Sequence, residues 1–201
     1  MPLLRGNLHT HTTFSDGRRH LDEAVARYRE LGYDFLAITD HDDRIQDDYW
    51  HRIPAGDGRF LILPGVELDC RPLGQHVGKV MGDRETLYVL NHPARYALTV
   101  EQTVRRIRWL GSQGVPIHAV EVTDTGVYRA EYDVEAIALP KVATDDAHGD
   151  EDFGRAWIEV DAARTPDAIL RAIKAGDFRL GFAAEPRQAG GRGWDLLGLS
   201  G

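Results

Sequence analysis

The sequence predicts an α/β fold built on a parallel sheet or a small barrel. Three observations predict it: short apolar runs alternate with amphipathic stretches from residue 3 to residue 182, glycine or proline punctuates most changes, and polar clusters rich in histidine and aspartate follow the apolar runs. In such folds ligands gather at the carboxyl ends of the strands. Residues 3–10 contain the first strand, which closes in Asn7-Leu8-His9-Thr10-His11 before the turn signal Ser15-Asp16-Gly17. Leu21, Ala24, Val25, Tyr28 and Leu31 recur at helical spacing and Gly32 stands at the capping position, so residues 20–31 form a helix. Residues 35–38 are a buried-strand run ending in Thr39-Asp40-His41-Asp42, which completes a βαβ unit.

Residues 43–59 are polar, with a short helix around Tyr49 and Trp50 and a turn at Ala55-Gly56-Asp57-Gly58. Residues 60–63 resume a strand, Pro64-Gly65 introduces Val66-Glu67-Leu68, and residues 77–81 and 87–90 are further short strands. Residues 100–110, with Val104, Ile107 and Leu110 at helical spacing, form an amphipathic helix ended by Gly111 or Gly114. Residues 117–122 are a strand, 132–139 a helix, and 141–144 a strand leading into Asp145-Asp146-Ala147-His148. Residues 156–160 are again a strand, Thr165-Pro166-Asp167 opens a helix that stops at Gly176, and residues 178–182 are the last strand. Residues 1–182 then form one domain, and residues 183–201 a C-terminal tail whose Trp194, Leu196, Leu197 and Leu199 could fold back onto it.

Composition excludes several classes of function. At 201 residues with 42% hydrophobic and 28% charged residues, the chain is of ordinary globular make-up. A net charge of −8 disfavours duplex DNA and anionic membranes as partners. The single cysteine, Cys70, allows no internal disulfide and no cysteine-based zinc site, so a reducing cytoplasm is the expected compartment. The N-terminus lacks a signal-peptide core and no apolar run approaches the roughly 20 residues of a membrane span.

Nine histidines are the unusual feature, most of them beside Asp, Glu or Gly at the ends of apolar runs. His9 and His11, two apart on a strand, project from one face and can share a cation. Taken singly, His-x-His is equally a pair of solvated imidazoles, Ser15-Asp16-Gly17 a simple turn, and His41 part of a polar loop. Glu67 is a carboxylate inside an apolar stretch, and burying it demands a cation, a hydrogen-bond network or a shifted pKa. His76, His92 in Asn91-His92-Pro93, and Asp146 with His148 complete a set whose members all fall near strand ends. Jointly they point to a metal centre.

The ordered series His9-Thr10-His11, Ser15-Asp16-Gly17, Thr39-Asp40-His41-Asp42, Pro64-Gly65-Val66-Glu67, His76-Val77-Gly78, Asn91-His92-Pro93 and Asp146-Ala147-His148 resembles the successive motifs of the PHP (polymerase and histidinol phosphatase) superfamily. The resemblance implies a distorted (β/α)7 TIM-like barrel carrying up to three divalent ions, with phosphoesterase activity in most free-standing members. It implies that His9, His11, Glu67 and Asp146 hold a first ion, that Glu67 bridges to another held by His76 and His92, and that Asp16, His41 and His148 hold a third. Asp145 departs from the small residue expected before Asp146. The segment from Phe153-Gly154-Arg155-Ala156 through residues 169–176 also resembles the C-terminal part of members related to the CehA/McbA metal hydrolases, some of which cleave carbamates or esters. The short segment between Met81 and Asn91, where some nucleotide-processing members carry a helical insertion, implies a smaller or more open substrate site.

The expected chemistry is attack of a metal-bound hydroxide on the phosphorus of a small phosphomonoester or nucleotide. The alternatives are an amide, carbamate or ester hydrolase using the same centre, and a non-catalytic metal-stabilised domain. Mixed imidazole and carboxylate ligation suits zinc, manganese or iron. Arg95, in His92-Pro93-Ala94-Arg95-Tyr96, is the candidate phosphate grip, with Arg18 and Arg155 as substitutes. Asp40 and Asp42 flank His41 and are candidates for orienting it or moving a proton. Glu121 is a buried partner of the ligands if its strand is central and a plain surface acid if it is an edge.

Overall fold

The computed structural model describes residues 3–70 and 72–183; all but the first residue of the expected tail lies outside the described residues. Strand β1 (Leu4–Asn7) is followed by helix α1 (Leu21–Glu30) and β2 (Phe35–Ile38), the expected βαβ unit, with β1 and β2 parallel. Helix α1 starts at His20, whose backbone N–H donates to Glu23 Oε2 at 2.9 Å in a capping box, and the chain leaves it through Gly32 at φ 77°. After the one-turn helix α2 (Tyr49–Arg52), β3 (Leu61–Cys70), β4 (Gln75–Met81) and β5 (Thr86–Leu90) form an antiparallel meander. Helix α3 (Val100–Ser112), capped by Thr99, leads into β6 (Ala119–Glu121) and the small hairpin of β7 (Thr123–Asp124) and β8 (Val127–Tyr128). Then come β9 (Lys141–Val142), β10 (Ala156–Val160), α4 (Pro166–Ala175) and β11 (Phe178–Phe182).

The main sheet has nine strands in the order β11-β10-β1-β2-β3-β4-β5-β6-β9. It curls into a nearly closed barrel. The segment after β9 closes onto the segment after β1, where Thr10 bridges Ala147 in parallel and His11 N–H donates to the Ala147 carbonyl at 3.0 Å. The sheet is mixed rather than parallel: β10 lies antiparallel to β1 and β11, and β4 antiparallel to β3 and β5. A tight turn joining β4 to β5 and a short loop between β3 and β4 permit only antiparallel neighbours, because a parallel crossover needs a dozen residues or more.

Residues 132–139 are not a helix. A 3-10 turn at Ala130–Tyr132 is followed by further turns, and Tyr132 and Ile137 are buried against Leu90, Leu110 and Val120 without a helical ladder. Pro140 then feeds β9, leaving the segment too short to complete a helix and still seat both side chains. The β4–β5 turn also corrects an expectation. Gly82 N–H donates to the Glu85 carbonyl, and Arg84 and Glu85 N–H donate to Asp167 Oδ1 at 3.0 and 3.1 Å, beneath α4. This turn lies at the opposite end of the strands from His76 and His92 and does not border the histidine cluster.

Apolar residues on the strands alternate between two packed layers. Phe35, Ala37, Leu61, Leu63, Ile158 and Val160 pack with α4 residues Ile169, Leu170 and Ile173, whereas Leu36, Ile38, Ile62 and Val66 pack under α1. Gly6 is required where it stands, because a Cβ there would lie 2.2 Å from the Phe35 ring. Among the described residues no helix is long and apolar enough to cross a membrane.

Candidate metal centre

One rim of the barrel gathers the polar residues. His9 and His11 follow β1, His41 follows β2, Glu67 sits within β3, His76 opens the antiparallel β4, Asn91 and His92 follow β5, Glu121 ends β6, and Asp146 and His148 follow β9. Strand direction explains the odd member: β4 runs backwards, so its first residues share the rim with the last residues of its neighbours. The β2–β3 ladder extends to a bridge between His41 and Glu67, which fixes these two residues side by side.

Glu67 is buried at the centre, and its two oxygens face different histidines. Oε1 lies 3.2 Å from His9 Nε2 and 3.0 Å from His92 Nε2, and accepts from Asn91 Nδ2 at 2.8 Å. Oε2 lies 3.4 Å from His11 Nε2, 3.3 Å from His41 Nδ1 and 3.3 Å from His76 Nδ1. Asp146 Oδ1 is 3.2 Å from His9 and 3.3 Å from His11, while Asp16 lies 3.4 Å from His148 and 3.5 Å from His41. Among the described residues four groups have donor atoms close enough together to share an ion: His9, His11 and Asp146; His9, Glu67 and His92; His41, Glu67 and His76; and His11, Asp16, His41 and His148. All nine expected ligand residues belong to at least one of them. The grouping sets His92 with His9 and His76 with His41, and the rings of His76 and His92 also lie side by side, 5.4 Å apart.

Several of these atoms are buried without a hydrogen-bond partner: Glu67 Oε2, Asp146 Oδ1, His76 Nδ1, His92 Nδ1 and His9 Nδ1. A carboxylate oxygen stranded among ring nitrogens is costly unless a cation completes it, so the donor set fits divalent ions. Electrostatics within the cluster follow from the same crowding. Burial disfavours charge on His11, but the carboxylates of Asp146 and Glu67 beside its ring, at 3.3 and 3.4 Å, outweigh it and raise its pKa to about 9. His9 is likewise raised, against its burial, by Asp146, Glu67 and Glu121. Glu67 and Asp146 are held well below the usual carboxylate range by the surrounding histidines, against their burial. Burial and the charge on His11 lower His41 and His148.

His92 at φ 25° and Asp146 at φ 47° occupy the left-handed region, which non-glycine residues seldom adopt. Such backbone persists only where its surroundings enforce it, and functional sites are where it concentrates. Glu121 supplies part of that enforcement at His92. Central and fully buried, it accepts from His92 N–H at 2.7 Å, approaches His9 Nδ1 at 3.5 Å and bonds the Thr144 hydroxyl.

Arg95 reaches the cluster, its guanidinium held by Asp124 at 2.9 Å and Asp146 Oδ2 at 2.5 Å. Arg18 and Arg155 lie further out on Glu151 and Asp152. Neither acid beside His41 is directed at its ring. Asp40 is buried and accepts from Thr12 N–H at 2.8 Å and Ser15 Oγ at 2.6 Å, which fixes the loop after His11, and the exposed Asp42 accepts from Asp69 N–H at 3.1 Å. Sequence reasoning missed Arg44, 2.5 Å from Asp16 Oδ2, and Asp124, which clamps Arg95. Both are common surface residue types, and no local pattern separates them from solvated charges.

Comparison with known proteins identifies the fold and the family profile. The family profile described as PHP domain matches residues 7–133, and one described as PHP-associated matches residues 128–178. The DNA polymerase/3'-5' exonuclease PolX of Bacillus subtilis (strain 168) is 32% identical over an 84-residue alignment that covers 35% of this chain but only 15% of that protein. Among solved structures, PsfC from Pseudomonas syringae PB-5123 superposes with a TM-score of 0.67 at 17% identity, covering 92% of this chain and 93% of that one. A two-domain protein from Bacteroides vulgatus ATCC 8482, containing a predicted PHP-like metal-dependent phosphoesterase, gives 0.66 at 18% identity over 90% of this chain and 65% of that one. At such identities these two structures establish the shared fold.

Proposed function

This chain belongs to the PHP domain family, and from that premise we propose that it is a phosphoesterase that hydrolyses a small phosphomonoester or a nucleotide phosphate at a multinuclear metal centre. The observation that carries the reading is Glu67: a buried carboxylate whose two oxygens face separate sets of histidines, with one oxygen lacking any hydrogen-bond donor. Such a group would serve as a shared ligand for cations bound on its two sides. His9, His11, Glu67, Asp146, His92, His76, Asp16, His41 and His148 would hold two or three ions, of zinc, manganese or iron. When bound, divalent ions supply Lewis acidity toward the ester and acidify water into a nucleophile.

The protein's own groups have distinct tasks. Glu121 holds the ring of His9 and the backbone of His92, and Asn91 fixes the rotation of the Glu67 carboxylate. Arg95 stands at the rim, partly exposed, with Asp124 holding it from behind, and is placed to receive a phosphoryl oxygen. Asp16, Glu67 and Asp146 carry three negative charges, fewer than two divalent ions supply, so the loaded site attracts anions although the chain is acidic. A small soluble phosphate compound in the cytoplasm, and not duplex nucleic acid or membrane, is the partner this chemistry suits.

The test is release of inorganic phosphate from sugar phosphates, aryl phosphates and mono- and bisphosphorylated nucleotides by manganese-reconstituted protein, beside Glu67→Ala. Release by the wild type that falls to background in the variant is the expected result. No release from any compound, by protein shown to carry metal, would overturn the phosphoesterase reading and turn the test to carbamates and carboxylic esters.

A further inference from the structure

The motif Asp145-Asp146-Ala147-His148 begins with an acid where a small residue was expected, and the structure gives that acid an unusual setting. Asp145 is fully buried, yet the donors to its carboxylate are neutral: Tyr28 Oη at 2.9 Å and Gly154 N–H at 2.7 Å on Oδ2, and Ala156 N–H at 2.7 Å on Oδ1. A buried carboxylate satisfied only by neutral groups is expensive. What it achieves is geometric. Asp145 stands before the segment that bears Asp146 and His148, whereas Gly154 and Ala156 stand where that segment returns to β10, so one side chain closes both ends of the excursion. Its own N–H donates to Asn7 Oδ1 at 3.1 Å, and Asn7 Nδ2 in turn donates to the His9 carbonyl at 2.9 Å and to Thr10 Oγ1 at 2.8 Å. The left-handed backbone of Asp146 is the next residue along.

We propose that Asp145 is a positioning residue for the metal centre, tying the segment that carries Asp146 and His148 to β1 and β10 so that both side chains meet His9, His11 and Asp16. This rests on the reading of the nine-residue cluster as a metal centre. Tyr28 is the second part of the device, because its hydroxyl joins Asp145 to Asn7 and Thr10 across the interface with α1. An asparagine at position 145 could keep some of the three bonds, since its amide nitrogen must face a donor, and alanine keeps none.

The device predicts an uneven effect. The groups containing Asp146 or His148 depend on it, whereas the other two, His9 with Glu67 and His92 and His41 with Glu67 and His76, contain neither residue. Wild type, Asp145→Ala, Asp145→Asn and Tyr28→Phe would be stripped with chelator and titrated with cobalt(II), reading ions bound per chain, the visible spectrum and thermal stability. Asp145→Ala is expected to weaken the ions served by Asp146 and His148 by 10–100-fold, alter their bands, and leave one ion bound as in wild type. Asp145→Asn and Tyr28→Phe should move the same way by less, and they carry the test if the alanine variant does not fold. Unchanged stoichiometry and spectra in the variants would overturn the proposal, as would a uniform loss of all ions that merely tracks stability. A wild type that binds no cobalt would overturn the metal-centre reading itself, a separate failure.

Discussion

Glu121 illustrates what a single residue's environment decides. Within Val120-Glu121-Val122 the acid is compatible with a core position or a surface one, and only the placement of β6 between β5 and β9 makes it buried and central. The ligand types at His9, His11, Glu67 and Asp146 were legible because burying such groups in apolar runs needs a chemical reason. The roles of Asp40 and Asp42 were not, because adjacency to His41 in sequence says nothing about where a carboxylate turns once the chain bends. Glu121→Gln keeps the shape but puts an amide nitrogen against either His9 and Thr144 or the His92 N–H. Metal affinity or turnover should fall roughly 10–100-fold with the fold retained, measured by metal titration beside circular dichroism. Asp42→Asn is the contrasting case. Its carboxylate caps the Asp69 N–H rather than facing the His41 ring, so kcat and its pH profile should stay within about twofold of wild type, surface changes of this kind being close to neutral. A shifted pH profile would restore Asp42 as a proton carrier.

At the scale of elements, periodicity and caps located most helices and strands to within a residue or two. Thr165 caps α4 as its Thr-Pro-Asp opening implies, through a hydrogen bond from Ala168 N–H, and Thr99 caps α3 in the same way through Gln102 N–H. The misread segment, 132–139, has apolar residues at plausible helical spacing, but they are anchors in a chain of turns pulled onto the core beside α3. Strand direction was invisible for the same kind of reason: a run of apolar residues reads identically in either sense, and only the loops on both sides decide it. Close packing between elements gives a sharper expectation. At Gly6 on β1 an added Cβ would enter the ring of Phe35 on β2, and neither strand can retreat without breaking its pairing with the other. Gly6→Ala should cost about 3 kcal/mol, the upper part of the usual range for overpacking, seen as a lower urea midpoint. Phe35→Leu added to the same chain should return part of that loss, whereas a Gly6→Ala chain of wild-type stability would show that the ring has room to move.

For the molecule as a whole, the barrel's closure and its metal centre are one structure, because the residues that join the first strand to the ninth are the residues flanking His9, His11 and Asp146. This coupling makes the stability of the chain depend on what satisfies the cluster. When metal is removed by chelation, protons are the available cations, and His11 is the group on which the consequence is clearest. Its pKa rises from 6.5 to about 9 because the neighbouring carboxylates of Asp146 and Glu67 overcome the opposing effect of burial. A histidine whose pKa is raised on folding contributes stability that is fully present below its unfolded value and is lost as pH climbs through the folded one. The window is therefore pH 6.5 to about 9, and the contribution is on the order of 3 kcal/mol. The melting temperature of the stripped protein should fall by several degrees across that interval, while the metal-loaded protein, whose imidazoles are already neutral ligands, should stay nearly level. Metal uptake at pH 7 should correspondingly release protons, and the apparent affinity should strengthen as pH rises. Calorimetric titration in two buffers of different ionisation enthalpy measures the protons directly. Uptake with no proton release would mean that the carboxylates of Glu67 and Asp146 do not hold protons on these rings, and that the cluster balances its charge in another way.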